Sequence, residues 1–285
     1  MRDLPFLVSK LFGTPHLIRQ SKLDQILTGL APVISGAAPK RTRLADDDIE
    51  ALGLITQSGP RLEGNIAVLP IMGTLVRRLS WIEAESGLTS YKTITDDITQ
   101  LMLDPYIRGV ILEIDSYGGE AGGVFDLADF IRKIQRQTGK PIYAHANENA
   151  ASAAYAIACA AEKVWVARTG EVGSIGVICA HLDQSQADEK AGLRWTFISA
   201  GERKTWGNPH EPLGDEARAR VQADVDWLYD EFVKTVARYR GMRPADIRAT
   251  KADVFRGEDA VGVGLADASG TLDECFDVLS RRLRG

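Results

Sequence analysis

Cysteine and histidine are scarce in this chain. Its 285 residues include three cysteines and four histidines. An odd number of cysteines without closely spaced pairs indicates neither a disulfide framework nor a zinc site. The composition therefore fits a reducing cytoplasm, and we expect neither a metal nor a cofactor. The three cysteines are Cys159, Cys179 and Cys275.

An excess of positive charge is missing, and so are long apolar runs. The formal net charge is -5, with both signs scattered along the chain, which argues against nucleic acid or an anionic membrane surface as a partner. Asp3, Lys10, Pro15 and Arg19 interrupt the apolar pieces near the N-terminus. No later segment approaches the roughly 18 uninterrupted apolar residues that a membrane-spanning helix needs. We therefore expect no membrane anchor.

Apolar sequence with a regular alternation is abundant. Hydrophobic residues make up 45% of the chain, which is enough for a sizeable core. Short β-rich runs alternate with amphipathic segments, as is typical of parallel strands joined by helical crossovers. The sequence therefore predicts an α/β fold. The predicted strands are 65–70, 109–115, 141–146, 163–167, 177–180 and 195–199, and the predicted helices are 88–103, 121–137, 183–191, 215–240, 258–263 and 272–283.

Two regions are expected. Residues 1–63 are predicted to form an N-terminal accessory arm and linker, with a short helix at 21–30 and a connector at 32–48, where small, proline and charged residues accumulate. Residues 64–285 are predicted to form the α/β domain, which ends in a helical part. The long helix at 215–240 carries an apolar stripe that would pack on its own core or on a neighbouring subunit.

A small-residue segment at 147–161 contains a serine near its start. Its alanines predict a helix capped by Asn147 or Asn149, which would place Ser152 in the first turn. Unpaired backbone amides and the positive end of the helix dipole lie there. A serine in that position could attack a carbonyl carbon if another group removed its proton.

The base that such a serine needs could be histidine or lysine. His16 falls in the accessory region, His145 and His181 lie in or just after predicted strands, and His210 remains as the competitor. Lys204 follows a predicted strand in a glycine-flanked loop, and a desolvated lysine amine can accept a proton. On its own, however, a loop lysine is more typical of a solvated side chain.

Two further motifs are weak when taken singly. Gly118 and Gly119 follow a predicted strand, and paired glycines allow the backbone amides to approach a carbonyl oxygen closely. A simple strand-to-helix turn would explain them equally well. Ser174 lies in a Gly-Ser-Ile-Gly loop and, taken alone, is a turn hydroxyl.

Together these motifs resemble the signal peptide peptidase A family of serine proteases. The segments GVILEIDSYGGEAGG, PIYAHANENAASAAYAIACAAEKVWVA, GEVGSIGV and SAGERKTWGNP occur in the family's order, within a match over about 64–270. The resemblance implies that Ser152 is the nucleophile and Lys204 its general base. It also implies that Gly119, with the amide of Ala153, forms the oxyanion hole, and that Ser174 supports the lysine.

The sequence departs from the family pattern at two places in these motifs. Tyr117 stands where the family commonly has proline, and Ala153 and Ala154 replace the usual glycines after the nucleophile. Without a membrane anchor and with an accessory N-terminus, the chain looks like the capsid-assembly proteases of tailed phages. That resemblance implies polypeptide substrates, either scaffold or head proteins, inside a procapsid in the host cytoplasm.

The family fold resembles the ββα spiral of the crotonases and Clp proteases, whose members assemble into rings. We therefore expect a homo-oligomer, with the Ser-Lys dyad formed within one chain or between two. Two other functions stay open: a catalytically idle head or scaffold protein on the same fold, and a crotonase-type acyl-CoA enzyme. The presence of both Ser152 and Lys204 favours a serine endopeptidase.

Overall fold

Strands and helices alternate through most of the computed structural model, which describes residues 11–34, 59–78 and 88–284. The strands are β1 (Pro15–Ile18), β2 (Arg61–Glu63), β3 (Ile66–Met72), β4 (Thr74–Val76), β5 (Leu88–Ser90), β6 (Gly109–Ser116), β7 (Gly118–Glu120), β8 (Ile142–Ala151), β9 (Lys163–Val166), β10 (Glu171–Gly173), β11 (Ile178–Cys179), β12 (Val254–Arg256) and β13 (Ala268–Ser269). The helices are α1 (Gln20–Ile34), α2 (Tyr91–Leu103), α3 (Val124–Thr138), α4 (Ala153–Ala158), α5 (Ser185–Lys190), α6 (Asp215–Arg240), α7 (Pro244–Ala249), α8 (Gly257–Gly262) and α9 (Leu272–Arg284).

The larger sheet has the order β12-β10-β8-β6-β3-β2. Its central strands β3, β6, β8 and β10 run parallel, and β9 pairs with the first half of β8 on the same side as β10. Central parallel strands are covered on both faces and therefore carry continuous apolar runs. In β6, every residue except Asp115 is buried.

Helices cover both faces of this sheet. In β3, Ile66 and Val68 face one side, where they pack in a cluster with Cys275 and Leu279 of α9. The alternate residues of β3 belong to the main core, together with α2, α3, α4 and the last third of α6. This period of two is what a strand buried on both faces requires. The α/β class predicted from the sequence is confirmed.

A second, smaller sheet has the order β11-β1-β7-β4-β5. The N-terminal strand β1 is the second strand of this sheet and runs antiparallel to both neighbours, β7 and β11. On its other side, β7 pairs with β4 in parallel. Because β7 follows β6 directly, this small sheet continues from the carboxyl end of the large one.

Most predicted elements are present, and α6 has the predicted bounds. The strand predicted at 195–199 is wrong, because residues 193–199 have no regular structure. Strands need a partner for their backbone groups, and this stretch is exposed along its length. The predicted helix at 21–30 extends to Ile34. The remainder of the predicted connector at 32–48 lies outside the described residues.

Candidate active site

Ser152 lies at the sharp turn between β8 and α4. The predicted helix start near Asn147 is wrong, because β8 continues to Ala151 and α4 begins at Ala153. Pairing with β6 and β10 on either side holds Asn149–Ala151 extended. These non-local hydrogen bonds outweigh the helix propensity of alanine, which is a weak local preference. Ser152 is therefore the residue before the helix and does not lie in its first turn.

The backbone of Ser152 is strained. Its φ of 58° and ψ of -118° lie outside the regions that L-residues favour, at a cost of about 1–3 kcal/mol. The surroundings fix this conformation: the Ser152 amide donates to the Gly173 carbonyl at 2.8 Å, and the Ser152 carbonyl accepts from Ala156 at 3.0 Å. A serine held at a strained strand-to-helix turn is the arrangement seen in other nucleophile sites.

The Ser152 hydroxyl is buried without a partner. The residue is 0% exposed, and its Oγ makes no hydrogen bond to any described part of the chain. A buried hydroxyl without a hydrogen bond costs about 1–3 kcal/mol. Such a group in a folded protein calls for an explanation, and a role in binding or catalysis supplies one.

Gly118 of β7 lies against this serine, and Gly119 follows it in the same strand. A Cβ on Gly118, which has φ of 99°, would lie 3.0 Å from the Ser152 Cβ and 2.2 Å from the Leu17 carbonyl oxygen. A Cβ on Gly119 would lie 1.8 Å from the Leu75 carbonyl oxygen. Both positions therefore require glycine for steric reasons. The Ser116 hydroxyl fixes the turn before them, because it donates to Gly73 and accepts from the Gly118 amide.

Ser174 follows Gly173, whose carbonyl accepts a hydrogen bond from the Ser152 amide. Its φ is 53°, and its amide donates to the Asp253 carbonyl at 2.8 Å. Ser174 lines an open cleft of about 270 Å³, together with Ile18 and Asp253. The structure thus brings Ser152, Ala153, the two glycines of β7 and Ser174 into one region.

Lys204 is not part of this cluster in the single chain. It lies exposed in a turn, where its amide donates to Gly201 at 3.1 Å. Within the described residues, its amine has no hydrogen bond or ion pair with any group, including Ser152. The neighbouring Arg203 and Trp206 contact each other through a cation-π interaction at 5.0 Å.

Two histidines have partners away from the serine. His145 is fully buried in β8, where its Nε2 lies 3.0 Å from the Gly270 carbonyl oxygen and burial lowers its pKa. His210 pairs through Nδ1 with Asp188 at 2.7 Å and stacks on Trp195 at 4.2 Å. These contacts fit framework roles for both.

Cys159 is a core residue. It is fully buried, and desolvation raises the pKa of its thiol to about 12. The thiol is therefore protonated at neutral pH, which makes it a poor nucleophile.

Sequence reasoning missed the ion-pair cluster around Glu171. This carboxylate is 6% exposed and pairs with both Arg19 and Arg256. The cluster ties the N-terminal segment to β10 and β12, next to the serine. The signal available in the sequence was a glutamate at the head of the EVGSIGV strand, which says nothing about partners far along the chain.

Peptidase family S49 matches residues 134–284, a span that contains Ser152, Ser174 and Lys204. The chain belongs to peptidase family S49. The predicted resemblance to the signal peptide peptidases is confirmed, because a putative signal peptide peptidase SppA of Enterococcus faecium is 29% identical over 67% of this chain and 56% of its own length.

Two phage proteins are more similar to this S49 member than the Enterococcus faecium protein is. The head-tail preconnector protein GP5 of Enterobacteria phage P21 is 33% identical over 100% of this chain and 59% of its own length. The capsid assembly protease C of Escherichia phage lambda is 32% identical over 100% of this chain and 69% of its own length. The chain therefore spans about three fifths to two thirds of the length of these relatives.

Among solved structures, the S49 chain is similar to a ClpP1 mutant from Listeria monocytogenes, with a TM-score of 0.43 and 12% identity over 72% of this chain and 92% of that one. Of the helices that the structure describes, none combines the length and apolar character needed to cross a bilayer.

Proposed function

We propose that this chain is a serine endopeptidase with a Ser152–Lys204 dyad that forms between two copies of the chain. The observation that carries the proposal is the unpartnered, buried hydroxyl of Ser152 on a strained turn. Membership in a peptidase family supports a role for that hydroxyl as the nucleophile. Because no described base in the same chain contacts it, we infer that the base comes from a neighbour.

We call the segment 181–214 the arm; it is distinct from the accessory region at 1–63. Its exposure supports a neighbouring chain as the source of the lysine. None of its residues, all of which the structure describes, is fully buried. Four of its large apolar side chains are exposed, with Ile198 at 97%. A strand-forming apolar stretch without a partner in its own chain is suited to pairing with another copy. The exposed members are Leu193, Trp195, Phe197 and Ile198.

The proposed chemistry is acyl transfer. An uncharged Lys204 amine removes the proton from the Ser152 hydroxyl as Oγ attacks the scissile carbonyl carbon. The oxyanion accepts hydrogen bonds from the amides of Gly119 and Ala153. The protonated lysine then donates to the leaving amine, and water, activated by the lysine, hydrolyses the acyl-enzyme. The Ser174 hydroxyl would hold the lysine amine.

The substrate class follows from the relatives. The lambda relative is named as a capsid assembly protease and the P21 relative as a head-tail preconnector protein. We therefore propose that this chain cleaves scaffold or head proteins inside a procapsid in the host cytoplasm.

Labelling with a small fluorophosphonate tests this function. We expect the parent chain to be labelled at Ser152, and both Ser152→Ala and Lys204→Ala to lose labelling. Lys190→Ala provides a matched control, because Lys190 is also an exposed lysine of the arm. Equal labelling of Lys204→Ala and Lys190→Ala would remove the lysine from its proposed role. Absence of labelling both in the parent chain and in a Leu17→Glu variant, in which a buried charge displaces the neighbouring strand β1, would favour the idle scaffold protein.

A further inference from the structure

The N-terminal strand β1 lies directly over the proposed catalytic serine. It fills the space between β7 and β11, with Leu17 opposite Gly119, Ile18 opposite Gly118 and His16 opposite Ile178. Neighbouring strands lie about 4.7–4.9 Å apart. Without β1, the gap between β7 and β11 would therefore accept one extended chain, and the facing edges of both strands would be unpaired.

The backbone of β1 takes the place that a substrate carbonyl would need. The point where a Gly118 side chain would begin lies 2.2 Å from the Leu17 carbonyl oxygen and 3.0 Å from the Ser152 Cβ. A peptide bond attacked by Ser152 must come to this same place beside β7. As long as β1 is bound, a second chain cannot pair with β7 there.

The side chains of β1 fill the groove as a bound peptide would. Leu17 is 0% exposed and Ile18 is 6% exposed. Beyond Ile18, the groove continues into the cleft that Ser174 and Gly176 line. Successive strand residues point to opposite faces, so Leu17 packs into the main core while Ile18 lines the cleft. A polypeptide that replaced β1 would therefore need aliphatic side chains on both faces.

Arg19 anchors the C-terminal end of β1. Its guanidinium pairs with the buried carboxylate of Glu171 and lies 5.9 Å from the centre of the Tyr117 ring, while its amide donates to the Tyr117 carbonyl at 2.9 Å. At the other end, the Gly13 amide donates to the Ala180 carbonyl at 3.0 Å. The segment is thus held at both ends.

We propose that Pro15–Ile18 is an internal ligand of the peptide-binding groove, so that an extended polypeptide with aliphatic side chains binds beside Ser152 only after β1 leaves. This inference rests on the proposed function, because the strand β1 would regulate that same site. A segment tethered to its site acts at an effective concentration in the millimolar range. It therefore excludes free peptides of ordinary affinity until the strand is released.

Binding of a peptide that copies the strand tests the proposal without any catalysis. A fluorescent peptide of residues 13–20 is titrated by anisotropy against three proteins that all carry Ser152→Ala. One has no further change, one adds Leu17→Glu to expel β1, and one adds Ser21→Glu. Ser21 is exposed just after β1, so the last protein is a charge-matched control. A peptide of the same composition in scrambled order controls for non-specific binding.

We expect the Leu17→Glu protein to bind the peptide at least about 10-fold more tightly than the other two. Near-UV circular dichroism establishes that it is folded. If it is not, Arg19→Gln, which removes the ion pair with Glu171 and the cation-π contact with Tyr117, takes its place, and an increase of about 3-fold is expected. Equal affinity of the folded released protein and the control, or no preference over the scrambled peptide, would overturn the proposal.

Fluorophosphonate labelling of the same variants with Ser152 intact separates the two proposals. Tighter peptide binding without labelling in any variant would leave the groove assignment standing and remove the peptidase. Labelling in all variants with unchanged peptide affinity would leave the peptidase standing and remove β1 as its internal ligand.

Discussion

The turn around Ser152 and the arm at 181–214 are opposites within one chain. Before Ser152, β8 pairs with β6 on one side and with β10 on the other, and Ser152 itself is 0% exposed. In the arm, no residue is fully buried, and a strand-like sequence has no strand partner. The half of the proposed site that carries the nucleophile is thus fully packed within one chain. The half that carries the lysine exposes apolar side chains, as a surface that binds another copy would.

The largest expected effect is the loss of peptide cleavage when the serine is replaced. Ser152→Ala should lower peptide cleavage by about 10⁴–10⁶-fold, because nucleophile and base act as a unit. It should also raise the free energy of unfolding, by about 1 kcal/mol, because it removes a buried hydroxyl without a hydrogen bond. Cleavage assays and urea denaturation measure the two effects. Unchanged cleavage, or a clearly less stable variant, would contradict this reading of the turn.

The next largest effect is a difference in stability between glycine-to-alanine variants of the two regions. Gly119→Ala places a Cβ against the Leu75 carbonyl, so we expect a loss of more than about 3 kcal/mol in the free energy of unfolding. Gly192→Ala in the arm meets no atom within 4 Å and has only its φ of 71° against it, which costs about 1 kcal/mol. Denaturant midpoints compare the two variants. Similar losses would mean that β7 is less tightly packed than described.

The smallest effect on the folded chain should come from the arm's apolar surface. Ile198→Asp should leave the unfolding free energy within about 0.5 kcal/mol, because Ile198 is 97% exposed. We expect it to lower peptide cleavage by about 10-fold, because a charge there opposes association. Tyr106→Asp is the control, since Tyr106 is 84% exposed in another part of the molecule. Equal cleavage by the two variants would show that the arm's surface has no role in assembly.

Local patterns in the sequence were enough for the parallel strands, for α6 and for the family. They failed where the structure depends on distant partners. The helix predicted from Asn147 is a strand because β6 and β10 hold it extended. The place of β1 depends on β7, about a hundred residues away in the chain. Its four residues carried no signal of their own.

The site was predicted in the same uneven way. Ser152, Gly119, Ala153 and Ser174 lie in one region because they follow the neighbouring parallel strands β6, β8 and β10, whose carboxyl ends meet at one edge of the sheet. That they act in catalysis stays a prediction, as does the role of Lys204. The position of Lys204 relative to a serine depends on how two copies meet, and neither residue spacing nor periodicity contains that information.

Complementation between two inactive chains tests the central claim most directly. Ser152→Ala and Lys204→Ala chains, co-expressed with different tags and purified as one assembly, should regain about a quarter of the parent cleavage rate, because a random mixture places an intact serine beside an intact lysine at that fraction of interfaces. Each variant alone should be inactive. Co-purified assemblies that stay inactive would contradict a dyad shared between copies.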